Sequence, residues 1–268
     1  MPPRWRRSWS STSHVWNRAR RSTVSLRVLA SDAVAGTNDP CVDLWHVHVP
    51  HHLCALEAHW QRLDASERQR AASFHREADR QRYVISQGSI RRVLGQRLGV
   101  DSAHLTFERG EFGKPFLATH PALHFNTSHS GDWVVHGVSA STPLGVDVEA
   151  IAPGPIDLQD FRHVLTAHEF ERLSALPATR LNPAFISTWV RKEAYVKATG
   201  HGLSKPLGDI CIELLEGGHF GLIHDHHPQP PGTGWNWQML DLGPDHVGCL
   251  AYPGRPLTVH LRGDSDRI

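Results

Sequence analysis

A proline- and glycine-rich break, AIAPGPIDL at residues 150–158, divides the chain into two stretches of similar size. Each reads as strands around one long helical segment. Before the break, VDLWHVHV reads as a strand, and residues 66–99 read as one or two helices. Tyr83, Ile90, Val93, Leu94 and Leu98 make the apolar face of that segment, and Gly99 is its stop. HLTFE, ALHFN, WVVHGVSA and PLGVDVE follow as strand-like runs. After the break, Thr166 and Glu169 have capping-box spacing. Asn182-Pro183 predicts an N-cap and first turn for a helix that Gly200 and Gly202 end. DICIELL, HFGLI, WNWQMLDL, HVGCLAY and LTVHL supply further strands. The expectation is α+β, two tandem lobes at 41–150 and 151–268, without a residue-level repeat.

With 268 residues and 40% hydrophobic content, the chain can bury a substantial core. No apolar run approaches the roughly 18 residues of a membrane span, so a soluble protein with no membrane partner is expected. Residues 1–40 carry seven arginines against Asp32 and Asp39, so the net +1 hides a body of about −4. That Arg/Ser/Trp-rich arm reads as a disordered extension or as sequence upstream of the true start. Targeting and nucleic-acid binding are the alternatives, and no nucleic-acid partner is expected. Cys41, Cys54, Cys211 and Cys249 are too dispersed for a zinc site or disulfide scaffold, which fits a reducing cytoplasm. His46 and His48 alternate along a strand, and His51, His52 and the HDHH at 224–227 complete the histidine groups; metal binding there is the minor reading.

Three stretches carry chemistry. In STWVRKEAYVKATGHGL, Trp189, Glu193 and Lys197 share one helix row. Read alone, the row is a surface Glu-to-Lys ion pair beside a core-edge tryptophan. In PLGVDVEAI, Asp147 and Glu149 share one strand face, while Val146 and Val148 point into the core. Two such carboxylates repel unless a cation sits between them, and a hard divalent ion would do so, although D-x-E on a strand is common. In LHFNTSHSGDWVV, serines, an imidazole and a glycine at a strand end can cradle a phosphate or simply satisfy a turn. Upstream, Lys114 stands between Gly113 and Pro115, where it could serve as a fixed phosphate partner.

FGKPFL, HFNTSHSGDWVV, PLGVDVE and STWVRKEAYVKATGHGLS, in this order, resemble the successive motifs of the Sfp-type 4'-phosphopantetheinyl transferases. The resemblance covers about residues 41–260, including ASFHREADRQRYVISQGSIRRVLG, and leaves out the arm. It implies a pseudo-twofold pair of α+β lobes with coenzyme A in the cleft between them. It implies Mg²⁺, with Mn²⁺ as a substitute, held by Asp147, Glu149 and Glu193. Lys197 would hold a pyrophosphate oxygen, Trp189 would anchor the helix, and Lys114 and Pro115 would lie beside the nucleotide. Ser128 and His129 would surround the 3'-phosphate end, which Arg70 or Arg68 would contact, with Arg82 a weaker candidate.

The implied reaction moves the 4'-phosphopantetheinyl group of coenzyme A to a serine of an apo acyl, peptidyl or aryl carrier protein, releasing 3',5'-ADP. Such carriers serve nonribosomal peptide, polyketide and fatty acid synthesis. Asp147, Glu193 and Lys197 form the implied catalytic set, with Glu193 the candidate base, directly or through a metal-bound water. Two other classes stay open. A serine hydrolase would use Ser128 or Ser130, His129 and Asp147, but the chain lacks a G-x-S-x-G elbow, and adjacent strand residues diverge. A non-catalytic coenzyme A or carrier-protein binding module would keep the ligand without the transfer. Relatives of this length imply a monomer, and the exposed apolar residues after Glu149 an expected docking groove.

Overall fold

A computed structural model describes residues 40–215, 218–225 and 234–263. The arm up to residue 39 and the histidines at 226 and 227 lie outside the described residues. Strand β1 (Cys41–His48) leads through three short helical segments into helix α1 (Ala65–Ala72) and the 22-residue α2 (Glu77–Leu98). The short strands β2 (Phe107–Arg109) and β3 (Pro115–Leu117) then precede β4 (His124–Ser130), β5 (Trp133–Ser139) and β6 (Gly145–Ala150). Helices α3 (Ala167–Ser174) and α4 (Ala178–Thr199) follow the break. Strands β7 (Ile210–Leu214), β8 (Phe220–Asp225), β9 (Trp235–Asp241), β10 (His246–Pro253) and β11 (Thr258–Arg262) complete the α+β fold. Among the described residues no helix is long and apolar enough to cross a membrane.

Two sheets make the body. One has the order β11-β1-β5-β4, the other β6-β10-β9. β6 lies before the break at 150 yet pairs with β10, setting Asp147 opposite Cys249 and Glu149 opposite Val247. β11 returns to pair in parallel with β1. Each half of the chain therefore lends a strand to the sheet built mainly by the other.

Apolar alternation explains the layers. Val42 and Leu44 of β1, Val135 of β5, Val146 and Val148 of β6 and Leu250 of β10 form one core shared by the two sheets. The opposite face of β5 presents Val138 to Ile90, Val93 and Leu94 of α2. Phe185, Trp189, Val190 and Ala194 of α4 pack with Cys249 and Ala251 of β10. Both sheets are thus covered on two sides, helix outside and sheet inside, as buried strands rich in β-branched residues require.

The predicted helix stops hold: Gly99 and Gly200 take left-handed C-cap conformations at φ 67° and 80°. So does the Thr166/Glu169 capping box. The start predicted at Asn182-Pro183 is wrong. α4 begins at Ala178, with Pro183 inside it. The Asn182 side chain instead donates to the carbonyls of Ala152 and Gly154, which ties the helix to the proline-rich break.

Candidate functional site

The site begins with a steric fact. A Cβ on Gly145 would lie 2.0 Å from the Ala194 carbonyl oxygen and 2.4 Å from the Ala198 nitrogen, both backbone atoms of α4. Only glycine lets the helix lie this close to β6. The close approach delivers Lys197 to the strand: its Nζ donates to Asp147 Oδ1 at 2.6 Å, Ser128 Oγ at 3.0 Å and the Val146 carbonyl at 3.2 Å. The Asp147 side chain is 1% exposed and that of Lys197 22%. The lysine therefore stands between solvent and a buried carboxylate, whose charge would otherwise be costly. On the neighbouring strand, burial pushes the Cys249 thiol far up, so it stays neutral opposite Asp147.

The other members of the helix row are buried. Trp189 is buried against Phe185 with rings 6.4 Å apart, and Glu193 is buried one turn before Lys197. Glu149 is half-buried and accepts a hydrogen bond from Ser130 Oγ at 2.9 Å.

Lys114 lies on the same seam. Its Nζ donates to the carbonyls of Lys197 at 2.7 Å, Leu144 at 3.0 Å and Ala198 at 3.4 Å, and burial lowers its pKa to about 8. A cation over the last carbonyls of a helix is the favourable end of the dipole. A cleft beside it is lined by Phe112, Gly113, Lys114, Asn126, Lys197 and Gly200. The Phe112 and His201 rings stack at 5.6 Å. Pro115 opens β3 opposite Arg109.

Other predicted residues are placed apart. Ser128 is buried on Asp147, whereas His129 is exposed on the opposite face of β4, so the two do not share one pocket. The same divergence separates them as a hydrolase pair. Arg70 is exposed over the Phe74 ring at 5.2 Å. Arg68 donates to the Gln61 carbonyl and lies over Trp60. Arg82 donates to the Gly131 carbonyl at 2.8 Å and pairs with Asp79. None of these arginines lines the cleft.

Among the described residues no three His, Cys, Asp or Glu side chains converge as a metal-binding group. The expected trio of Asp147, Glu149 and Glu193 stands on two packed elements, with Lys197 as the cation on Asp147. The donor chemistry nonetheless suits a hard divalent ion: Asp147 Oδ2 is buried without a hydrogen-bond partner among the described residues, and Glu149 follows on the same strand face.

Gly145 and Lys192 are structurally decisive residues to which the sequence alone assigns no role, and Asn126, part of the Asn-x-Ser-His-Ser run, satisfies the backbone of β6 instead of a local turn. Period-two spacing on β4 was the available signal for Asn126, since it puts residues 126, 128 and 130 on one face.

Comparison with known proteins bears on the chemistry. Residues 50–142 match a model described as 4'-phosphopantetheinyl transferase, N-terminal, and residues 143–251 match the 4'-phosphopantetheinyl transferase superfamily. The two matches meet just before β6, the strand that crosses to the second sheet. A 4'-phosphopantetheinyl transferase of Bacillus subtilis is 33% identical over 62% of this chain and 73% of its own length. The transferase Sfp of Bacillus subtilis strain 168 is 29% identical, over 72% of this chain and 84% of its own. The transferase HetI of Nostoc sp. is 31% identical, over 78% and 85%.

Proposed function

The chain belongs to the 4'-phosphopantetheinyl transferase superfamily, and from that premise we propose that it moves the 4'-phosphopantetheinyl group of coenzyme A onto a serine of an apo carrier protein. The observation that carries this reading is the meeting of Lys197 with Asp147 at the seam of α4 and β6, beside an open cleft. A surface ion pair needs no buried strand carboxylate; a phosphoryl-transfer site needs both charges.

The reaction forms a bond between the carrier serine oxygen and the β-phosphorus of coenzyme A and breaks that phosphorus's bond to the bridging oxygen. 3',5'-ADP leaves with that oxygen. Negative charge grows on the phosphoryl and leaving oxygens, and Lys197 turns its ammonium from Asp147 toward them. Glu193 accepts the serine proton. Lys114, held on the C-terminus of α4, fixes the nucleotide side of the cleft, while Ser128 holds Asp147 in place. Mg²⁺, or Mn²⁺ as a substitute, would be held by Asp147, Glu149 and Glu193 and would supply Lewis-acid neutralisation of the pyrophosphate. Arg70, Arg68 and Arg82, with His129, are the candidates for the 3'-phosphate end. The protein acts as a cytoplasmic monomer on carriers of peptide, polyketide or fatty acid synthesis.

The test is intact-protein mass spectrometry of several apo carrier proteins incubated with the protein and coenzyme A, in Mg²⁺ or EDTA. A gain of one phosphopantetheinyl group in Mg²⁺ alone is expected. Coenzyme A binding by folded protein without modification of any carrier would replace this reading with a binding module.

A further inference from the structure

β4 and β6 are the facing edges of the two sheets, and side chains join them. Asn126 Oδ1 accepts from the Val146 N–H at 2.9 Å, Ser128 Oγ from Val148 at 3.3 Å and Ser130 Oγ from Ala150 at 3.0 Å. Three successive residues on one face of β4 thus stand in for the carbonyls that a neighbouring strand would offer β6. The two hydroxyls then donate onward, Ser128 to Asp147 Oδ1 and Ser130 to Glu149 Oε2, each at 2.9 Å. Each oxygen is fixed by a backbone N–H on one side, so its proton has one direction left, toward the carboxylate.

We infer that Ser130 is a positioning residue: pinned by the Ala150 N–H, its hydroxyl holds the Glu149 carboxylate in the orientation in which it meets the divalent cation. Ser128 does the same for Asp147, and Asn126, which carries no hydroxyl, only joins the edges. Both serines are thus engaged with protein partners on β6. This inference rests on the metal-holding role proposed above for Glu149. Removing a group that orients a metal-binding carboxylate typically costs about 10–100-fold in metal affinity.

The test compares full-length wild type with Ser130→Ala, Ser130→Thr and Ser130→Cys. Mn²⁺ is titrated in the presence of coenzyme A and free Mn²⁺ read by electron paramagnetic resonance, with urea unfolding and coenzyme A affinity in EDTA measured alongside. Ser130→Ala is expected to bind Mn²⁺ roughly tenfold more weakly. Ser130→Thr, which keeps the hydroxyl, should bind as wild type does, and Ser130→Cys, a weaker donor of similar size, should fall between them. Coenzyme A affinity in EDTA should not change. If Ser130→Ala does not fold, the threonine and cysteine variants carry the comparison. Wild-type Mn²⁺ affinity in a folded Ser130→Ala or Ser130→Cys overturns the inference, as does a threonine variant as weak as the alanine one. Wild-type protein that transfers in EDTA and binds no Mn²⁺ overturns the metal reading itself, a result independent of any difference among the variants.

Discussion

Helix α4 carries two lysines five residues apart, each on a buried carboxylate, and they differ in what surrounds them. Lys192 Nζ donates to Glu169 Oε2 at 2.5 Å and to the carbonyls of Val164 and Leu207 at 2.8 and 3.0 Å, with the lysine side chain 1% exposed. Lys197, about 140° further round the helix, makes three contacts to Asp147, Ser128 and Val146 with 22% of its side chain exposed at a cleft. Both carboxylates leave one buried oxygen, Glu169 Oε1 and Asp147 Oδ2, without a hydrogen-bond partner among the described residues. An orphan oxygen is therefore not enough to mark a reactive site. The difference lies in access: Lys192 locks α4 to the cap of α3, whereas Lys197 borders an opening and has Glu149 on the adjoining strand. A sealed pair can only hold structure; an accessible one can change partners.

The comparison breaks most visibly at Lys192. Lys192→Met strands Glu169 in a dry site and should cost roughly 3–5 kcal/mol of stability in urea unfolding. The same measurement on Lys197→Ala should show a smaller loss, because water reaches Asp147 through the cleft, and added Mg²⁺ should recover part of it. Transfer by Lys197→Ala should fall about 100-fold under conditions in which the protein is folded. Equal stability losses and equal residual rates in the two variants would erase the distinction. Gly145→Ala acts where α4 meets β6: forcing the helix from the strand should cost roughly 1–3 kcal/mol in urea unfolding and slow transfer.

At Lys114 the expected effect is a pH dependence of stability. Burial lowers its pKa to about 8, so between there and the unfolded value near 10.5 the unfolded chain binds the extra proton. Stability should then rise with pH across that window, by up to about 1.4 kcal/mol per pH unit from this group. Below about pH 8 the group contributes no slope. Unfolding of Lys114→Met measured from pH 7.5 to 10.5 should lack the rise; an identical slope in both proteins would place the titrating group elsewhere.

How much of this was legible follows from range. The Trp189, Glu193, Lys197 row, the D-x-E strand and the glycine stops depend on residues within one turn or strand, and local periodicity reveals them. The start of α4 was misplaced because Asn182 caps nothing: its amide is engaged by the break thirty residues upstream, a contact that sequence spacing does not encode. The ammonium on Asp147, the exchange of β6 and β11 between sheets and the side-chain ladder from Asn126 to Ser130 are tertiary. Gly145 gives no local signal within PLGVDVE, since the helix backbone that demands a glycine there is about fifty residues away.

The central claim is that the accessible pair does the chemistry. Its most direct test is the transfer rate of Asp147→Ala, measured by intact mass of an apo carrier protein at saturating coenzyme A and Mg²⁺, alongside its thermal unfolding. The expected rate is at least about 1,000-fold below wild type, in a protein that still unfolds cooperatively. A folded Asp147→Ala that transfers at the wild-type rate would contradict it.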